Sequence, residues 1–378
     1  MDHTATGIPA RRRYGRRYAI LVLALVALVG GWIGFWYYAA GQVQVLLDGW
    51  RAREAKAGRI YECGSQSVGG FPFRFEVDCG RASAVFRGMG LPLTIEAGHV
   101  LVVAQVYQPT LLIGEYTGPL TIAEPGRAPN ILVNWRLAQS SLRGTPAAPE
   151  RAALVLDDPV IERVNGTSRQ DLMRAKHVEL HGRIVEGAVD TKPVIELALE
   201  LDQASLPATH RAARVPFNAN IIISLRGLSD FSPKPWPARF REIQAAGGRI
   251  EINEMRLQQG ETLAVGAGSL ALNAKGRLQG ELHMTIAGIE PFLAAIGARK
   301  MVQQSAPVDK LAGMLDRLSP GLGEAARQQA GANIALGLNL IGKPTVLEGR
   351  QALTLPLRFD DGAMFLGPIP LGVTPALF

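Results

Sequence analysis

The chain of 378 residues is poor in the side chains from which catalytic and metal centres are usually assembled. It has two cysteines and six histidines, and two thiols do not fill the coordination sphere of a structural metal. The histidines are scattered, and the one local pair, His177-Val-Glu-Leu-His181, lacks the Glu directly after the first His that a helical zinc-protease motif requires. Val178 and Leu180 alternate there with His177, Glu179 and His181, which predicts a strand with a polar outer face; a surface metal site built on imidazoles is the competing reading. No Walker loop, nucleophile elbow or cysteine cluster occurs. Gly266-Ala-Gly268-Ser-Leu-Ala271 imitates a dinucleotide fingerprint but opens no helix, so a pyrophosphate would lack its helix N-terminus. Asp157-Asp158 and Asp360-Asp361 stand at turn positions, where carboxylates commonly bond local backbone. The residues thus point to no catalytic, cofactor or metal site, and the expectation is a protein that is not an enzyme.

Charge is absent from Tyr18 to Leu47. A bilayer core of about 30 Å takes roughly 20 apolar residues in a helix, and residues 18–40 supply such a transmembrane helix. Tyr14 and Tyr18 flank it on one side, and Trp32, Phe35, Trp36, Tyr37 and Tyr38 on the other, as expected of rings at a membrane interface. Arg11, Arg12, Arg13, Arg16 and Arg17 precede the span, and a cluster this basic stays on the cytoplasmic side. The expected topology is therefore a single pass through a bacterial inner membrane, with a basic tail at residues 1–17 in the cytoplasm and the body in the periplasm. Ala39-Ala40-Gly41 leaves cleavage as a signal peptide open, although the apolar run exceeds the usual length, and Arg16-Arg17 is a fragment of a twin-arginine signal. The tail carries more than half of the formal net charge of +7. The body therefore lacks the basic footprint of a nucleic-acid binder, and the partners expected are membrane lipid and envelope proteins.

In an oxidising compartment Cys63 and Cys79 are expected to form a disulfide, whose loop closure stabilises by about 3 kcal/mol in the chain-entropy model; two separate thiols are the alternative. Residues 41–58 read as a juxtamembrane helix with Val43, Leu46, Leu47 and Trp50 on one stripe and Gly58 as its stop. The stripe either docks on the chain's own body or meets a partner helix. In GFPFRFEVDC, Phe71, Phe73, Phe75, Val77 and Cys79 share one face of a predicted strand. The runs LPLTIEA, HVLVVAQVY, TLLIGEYTGPLTIA, NILVNWRL, AALVLDDPVIE, HVELHGRIVEG and PVIELALELD read as further strands, with a short helix candidate near Ser168 to Ala175.

Polar and proline residues in LPATHRAARVPF and SDFSPKPWP suggest a division into a first β-rich half, residues 59–228, and a second with helices, residues 229–378. PWPARFREIQAAGG places Trp236, Phe240 and Ile243 at helical spacing before a glycine stop, which predicts a helix. A three-residue turn at Ala274-Lys275-Gly276 puts Leu270, Leu272, Leu278, Leu282 and Met284 on one face. A turn at Asp361-Gly362 sets Phe359 opposite Met364 and Leu357 opposite Leu366. Residues 290–330 are helical in pattern. The fold class is mainly β with accessory helices, an α+β body of long antiparallel, curved sheets after one N-terminal transmembrane helix.

GFPFRFEVDC after a single anchor, WPARFREIQAAGG followed by G-x-L strands, and the terminal DDGAMFLGPIPLG together resemble family 2125 of the domains of unknown function, which are membrane-anchored bacterial envelope proteins. The resemblance runs from the span onward and implies location and a β-rich fold, with no catalytic residues to carry over. A looser likeness in strand pattern is to AsmA-like envelope proteins, and it implies curved sheets that hold or conduct lipid. On that analogy the function expected is hydrophobic-ligand binding in envelope maintenance, with an interaction scaffold next and a hydrolase last.

Overall fold

The computed structural model describes residues 14–87, 92–145, 148–209, 211–232, 234–290, 293, 312–317, 321, 323–325, 328–329, 342–367 and 369–378. Arg11, Arg12 and Arg13 lie outside them, as does most of the helical segment expected at 290–330, of which 290, 293, 312–317, 323–325 and 328–329 are helical.

The absence of charge and of helix breakers after Tyr14 lets one helix, α1 (Tyr14–Lys56), run without a break through the apolar segment and the juxtamembrane stripe. It stops at Gly58, whose φ of 79° suits glycine. Its second half packs antiparallel along β1 (Arg59–Gly69). Trp50 stacks on Tyr61 at 4.7 Å between ring centroids, and Glu54 accepts from Arg59 at 2.5 Å. Val43, Leu47 and Trp50 are half-buried, but Leu46 faces solvent, so the stripe is narrower than its sequence spacing suggests.

The body is one antiparallel meander in which nearly every strand pairs with its neighbours in the chain. β1 is followed by β2 (Arg74–Phe86), β3 (Leu93–Gln105) and β4 (Gln108–Ala123). Three long strands come next, each interrupted once: β5 (Ile131–Asn134) with β6 (Leu137–Thr145), β7 (Ala148–Asp157) with β8 (Val160–Asn165), and β9 (Ser168–Arg174) with β10 (His177–Ala188). The interruptions at Arg136, Asp158 and Ala175-Lys176 lie side by side. The Arg136 N–H bonds to the Asp157 carbonyl, the Asp158 N–H to Lys176 and the Ala175 N–H to Pro159. They form a crease across the sheet, and the expected helix near Ser168 is instead β9, whose polar residues lie on an exposed strand.

β11 (Thr191–Ala204) and β12 (Phe217–Arg226) continue the order. α2 (Trp236–Ala245) then crosses the sheet before β13 (Arg249–Gln259), β14 (Thr262–Leu272) and β15 (Leu278–Ala287). After the segment 288–342 come β16 (Lys343–Leu347), β17 (Arg350–Asp360), β18 (Ala363–Leu366) and β19 (Ile369–Val373). β17 pairs with β15 on one edge and with β16 and β18 on the other. The sheet is open, ending at β1 and β19. β12 pairs with β13 directly, so the sheet passes unbroken from residues 59–228 into 229–378.

Turn chemistry fixes register as the residues predict. Asn273 and Arg277 close a three-residue turn in which Gly276 has a φ of 72°, and Leu272 meets Leu278. Asp361-Gly362 pairs Phe359 with Met364 and Leu357 with Leu366. Directly opposed residues of an antiparallel pair share a face, so the registers can be followed from strand to strand. One row runs Val68, Val77, Val102, Gly114, Ser140, Leu154, Leu180, Leu199, Ile221, Met255, Gly266, Met284, Leu355. It is apolar or small throughout except at Ser140, whose hydroxyl bonds to that of Tyr116. The neighbouring row on the opposite face runs Leu101, Glu115, Gln139, Val155, Glu179, Glu200, Asn220, Arg256, Val265, Thr285, Thr354. Along these rows one face of the sheet is oily and the other mostly wet, with Val103 and Ile113 as apolar residues on the wetter side.

Candidate functional site: the anchor junction and the apolar face

The two elements that distinguish this molecule meet at its first edge. Of GFPFRFEVDC, the strand begins only at Arg74. Phe71 and Phe73 do not share a strand face with Phe75: Gly70 has a φ of 98° and the Arg74 N–H bonds back to its carbonyl, closing a turn over residues 71–73. That turn sits on the apolar half of α1. Trp32 Nε1 donates to the Pro72 carbonyl at 3.0 Å and Trp36 Nε1 to the Arg74 carbonyl at 3.1 Å. The Trp36 ring stacks on Phe75 and meets Phe71 edge-on, with centroids 5.9 and 5.5 Å away. Trp36 is thereby buried to 3% exposure in a helix otherwise open along its apolar length. Higher up, Cys63 and Cys79 form a disulfide between β1 and β2, with Cα atoms 5.3 Å apart, beside the Arg51 guanidinium of α1. The helix, the first two strands and the cystine thus form one tied unit. A cystine fits an oxidising compartment, and α1 is long and apolar enough to cross a membrane. Arg16 and Arg17 lie exposed in its first turns.

The apolar face starts in that unit with Phe75 and Val77 and is covered unevenly. At the far end, Leu282, Met284, Ile286, Leu353, Leu355 and Phe359 form a buried cluster with Ile289 and Leu293 from the following segment. Over β11 to β13 the cover is α2, whose Ile243 is fully buried against Ile195, Leu225 and Leu228. Arg239 pins that helix by donating to the carbonyls of Asp230 and Ser232. A third cluster around Val178, Ala175 and Ala204 fills the crease. Among the described residues, no such cluster takes a member from β1 to β6. Val100, Val102, Leu112, Leu142 and Leu154 remain half-buried, and Leu180 is 41% exposed. Between α1 and α2 no described helix lies on this face, and among the described residues it is an open apolar floor; strand alternation alone does not reveal this because it depends on where the helices land.

The opposite face carries the titratable groups. His177 bonds Asp157 at 2.6 Å and Glu179 at 2.8 Å, and His181 bonds the other Glu179 oxygen at 2.8 Å. Hydrogen bonds donated to Glu179 and then to Asp157 hold the His177 pKa above its ordinary value, and those that Glu179 accepts from His177 and then His181 hold it below its own. Asp158 is lowered by Arg136 and then Lys176. Asp361 is lowered by Lys275 and then Asn273; away from this face, beside α2, Asp230 is lowered by Lys234 and then Ser232. The segment 177–181 is a strand with a polar face, as its alternation indicates, and no group of metal-ligating side chains occurs among the described residues. Gly266 and Gly268 belong to β14 rather than a phosphate loop, and a Cβ on either would collide with Met284 or with the backbone of Glu281 and Leu282. A concavity of about 250 Å³ on the polar side is lined by Glu200, Asp202, Asn218, Asn220, Arg256 and Gln258 with Leu201 and Ala219.

No curated protein matches the chain. A family model described as an uncharacterized protein conserved in bacteria matches residues 36–375, from the buried Trp36 to the last strand. The chain therefore belongs to the bacterial family DUF2125.

Proposed function

We propose that this protein is a non-catalytic, membrane-anchored component of the bacterial cell envelope whose open apolar floor receives lipid acyl chains. The observation that carries the reading is the row of apolar and small residues, broken only at Ser140, which begins at the strand held against the membrane-competent helix and crosses the sheet through Leu154 and Leu180. A floor that starts beside a bilayer has acyl chains as its most concentrated apolar neighbour, and open apolar surface of this kind marks an interaction site. The polar face supports the non-catalytic part. Its carboxylates and bases are matched in partly exposed ion pairs, between neighbouring strands at Arg136–Asp157, His177–Asp157 and Arg183–Glu196 and within β10 at His181–Glu179, as on a solvated sheet surface.

The body is assigned to the periplasm because Arg11, Arg12, Arg13, Arg16 and Arg17 precede the span, and the cystine accords with that side. A cytoplasm-only reporter fused after Phe378 should be silent; activity there would refute the orientation.

For the lipid reading, full-length protein is exchanged exhaustively into lipid-free detergent and its bound lipid is weighed by native mass spectrometry. Wild type should retain lipid, and the Leu142→Glu/Leu154→Glu variant, folded by circular dichroism, should lose it. Equal lipid content in the two, or none in wild type, refutes the reading. Protein rather than lipid recovered on this face would instead make it a scaffold.

A further inference from the structure

The helix is too short below the body for the body to stand clear of the bilayer. From Arg17 to Trp32 it climbs about 22 Å at about 1.5 Å per residue, against a hydrocarbon thickness of about 30 Å. Tilt shortens the climb further, and Arg17 resists entering the core. Some 30 Å above Arg17 the helix has reached the neighbourhood of Tyr37. The body, however, already touches the helix below that level. The Pro72 carbonyl accepts from Trp32, the Phe73 ring lies 6.1 Å from the Trp32 ring, and the Phe71 ring stacks on Tyr37 at 6.3 Å.

We propose that the turn at residues 71–73 is a second membrane contact, with Phe71 and Phe73 seated in the interfacial zone of the leaflet from which the body emerges. The proposal rests on α1 being a membrane anchor. Its own support is that these rings stay 47% and 63% exposed despite their contacts with α1. The turn has no charged residue, and the first one after it, Arg74, is paired with Glu76 at 2.7 Å. The adjoining hairpin is fixed alongside by the Val106 N–H on the Phe73 carbonyl and presents the exposed ring of Tyr107. Tyr107, a ring with a polar edge, favours this zone, and the wholly apolar Phe71 and Phe73 rings add apolar area that leaves water there. The contact brings Phe75 and Val77, where the apolar face begins, next to the lipid chains and fixes the sheet edge against the bilayer instead of leaving it free on a tether.

The test uses full-length protein in phospholipid nanodiscs, with an environment-sensitive fluorescent amino acid placed singly at position 25, 71, 73 or 346 and quenched by lipids brominated at shallow or deep chain carbons. Position 25 reports the anchor, and Val346, exposed in a distant strand, reports the free body. Quenching at 71 and 73, stronger by at least twofold with shallow than with deep bromines, and none at 346, is the expected result. If position 25 is quenched and 71 and 73 are not, the second contact is refuted while the anchor stands. If position 25 is not quenched, the anchor reading itself fails and the proposal with it. Quenching at 346 equal to that at 73 also overturns it.

Discussion

Truncating one leucine under the covered end of the apolar face and one on its open floor should have very different costs. Leu355 has no exposed surface and opposes Met284 in the largest buried cluster. Leu355→Ala removes its transfer free energy and leaves a cavity that neighbours on every side hold open, a loss of about 2–5 kcal/mol. Leu180 lies on the same row but is 41% exposed. Burying a leucine completely contributes about 1.5–3 kcal/mol, so Leu180→Ala should cost roughly 1–2 kcal/mol, with no closed cavity to add. An unfolding entropy near 2.1 cal/mol/K per residue gives about 0.7 kcal/mol/K for a body of roughly 320 residues. The expected falls in Tm are then about 3–7 °C for Leu355→Ala and about 1–3 °C for Leu180→Ala. Thermal melts of the full-length variants in detergent, followed by far-ultraviolet circular dichroism, measure both. Equal falls would mean that the middle of the face is packed by protein, and the reasoning about an open floor would be wrong.

Reducing the Cys63–Cys79 bridge, or replacing both residues by serine, should lower stability by about 3 kcal/mol through the opened loop, read as the difference between melts with and without reductant. His177, whose folded pKa is raised above its ordinary 6.5 by Glu179 and then Asp157, should stabilise the fold fully below that value and lose the contribution as pH rises through the folded pKa. The depressed Glu179 adds the acid limit of the same window, and nuclear magnetic resonance titration should show Glu179→Gln lowering the His177 pKa; an unchanged value contradicts the assignment. Gly268→Ala drives a Cβ into the Glu281 carbonyl and the Leu282 backbone, so it should destabilise by about 1–3 kcal/mol, whereas a neutral melt would show that β14 and β15 are further apart than described.

Local chemistry made much of this fold legible. Glycine placement fixed the turns at Gly276 and Gly362 and the stop at Gly58, and apolar spacing located α2 and its buried Ile243. Longer-range features were less accessible. LPLTIEA and HVLVVAQVY look like two strands because Gly98 interrupts them, yet both belong to β3. Phe71 and Phe73 alternate correctly for a strand, but Gly70 turns the backbone first, so the rings lie on α1 instead of the sheet face. Ser168 to Ala175 carries few apolar residues, and its state was decided by pairing with β8, which no local pattern encodes. The junction was partly visible as a belt of aromatics and a pair of cysteines. The open floor was not, because it depends on where the described helices lie over residues that look like any other strand interior.

If one face of the sheet meets lipid and the other meets water, as proposed, β7 must show it, because its successive residues present both faces. A photo-crosslinking amino acid placed in turn at positions 151 to 156 of the full-length protein in living bacteria, followed by mass spectrometry of the adducts, reads each face separately. Lipid adducts are expected at 152 and 154 and not at 151, 153 and 155, while Leu156, packed against the crease cluster, should give few. Adducts without that alternation, or none to lipid at Leu154, would contradict the proposal.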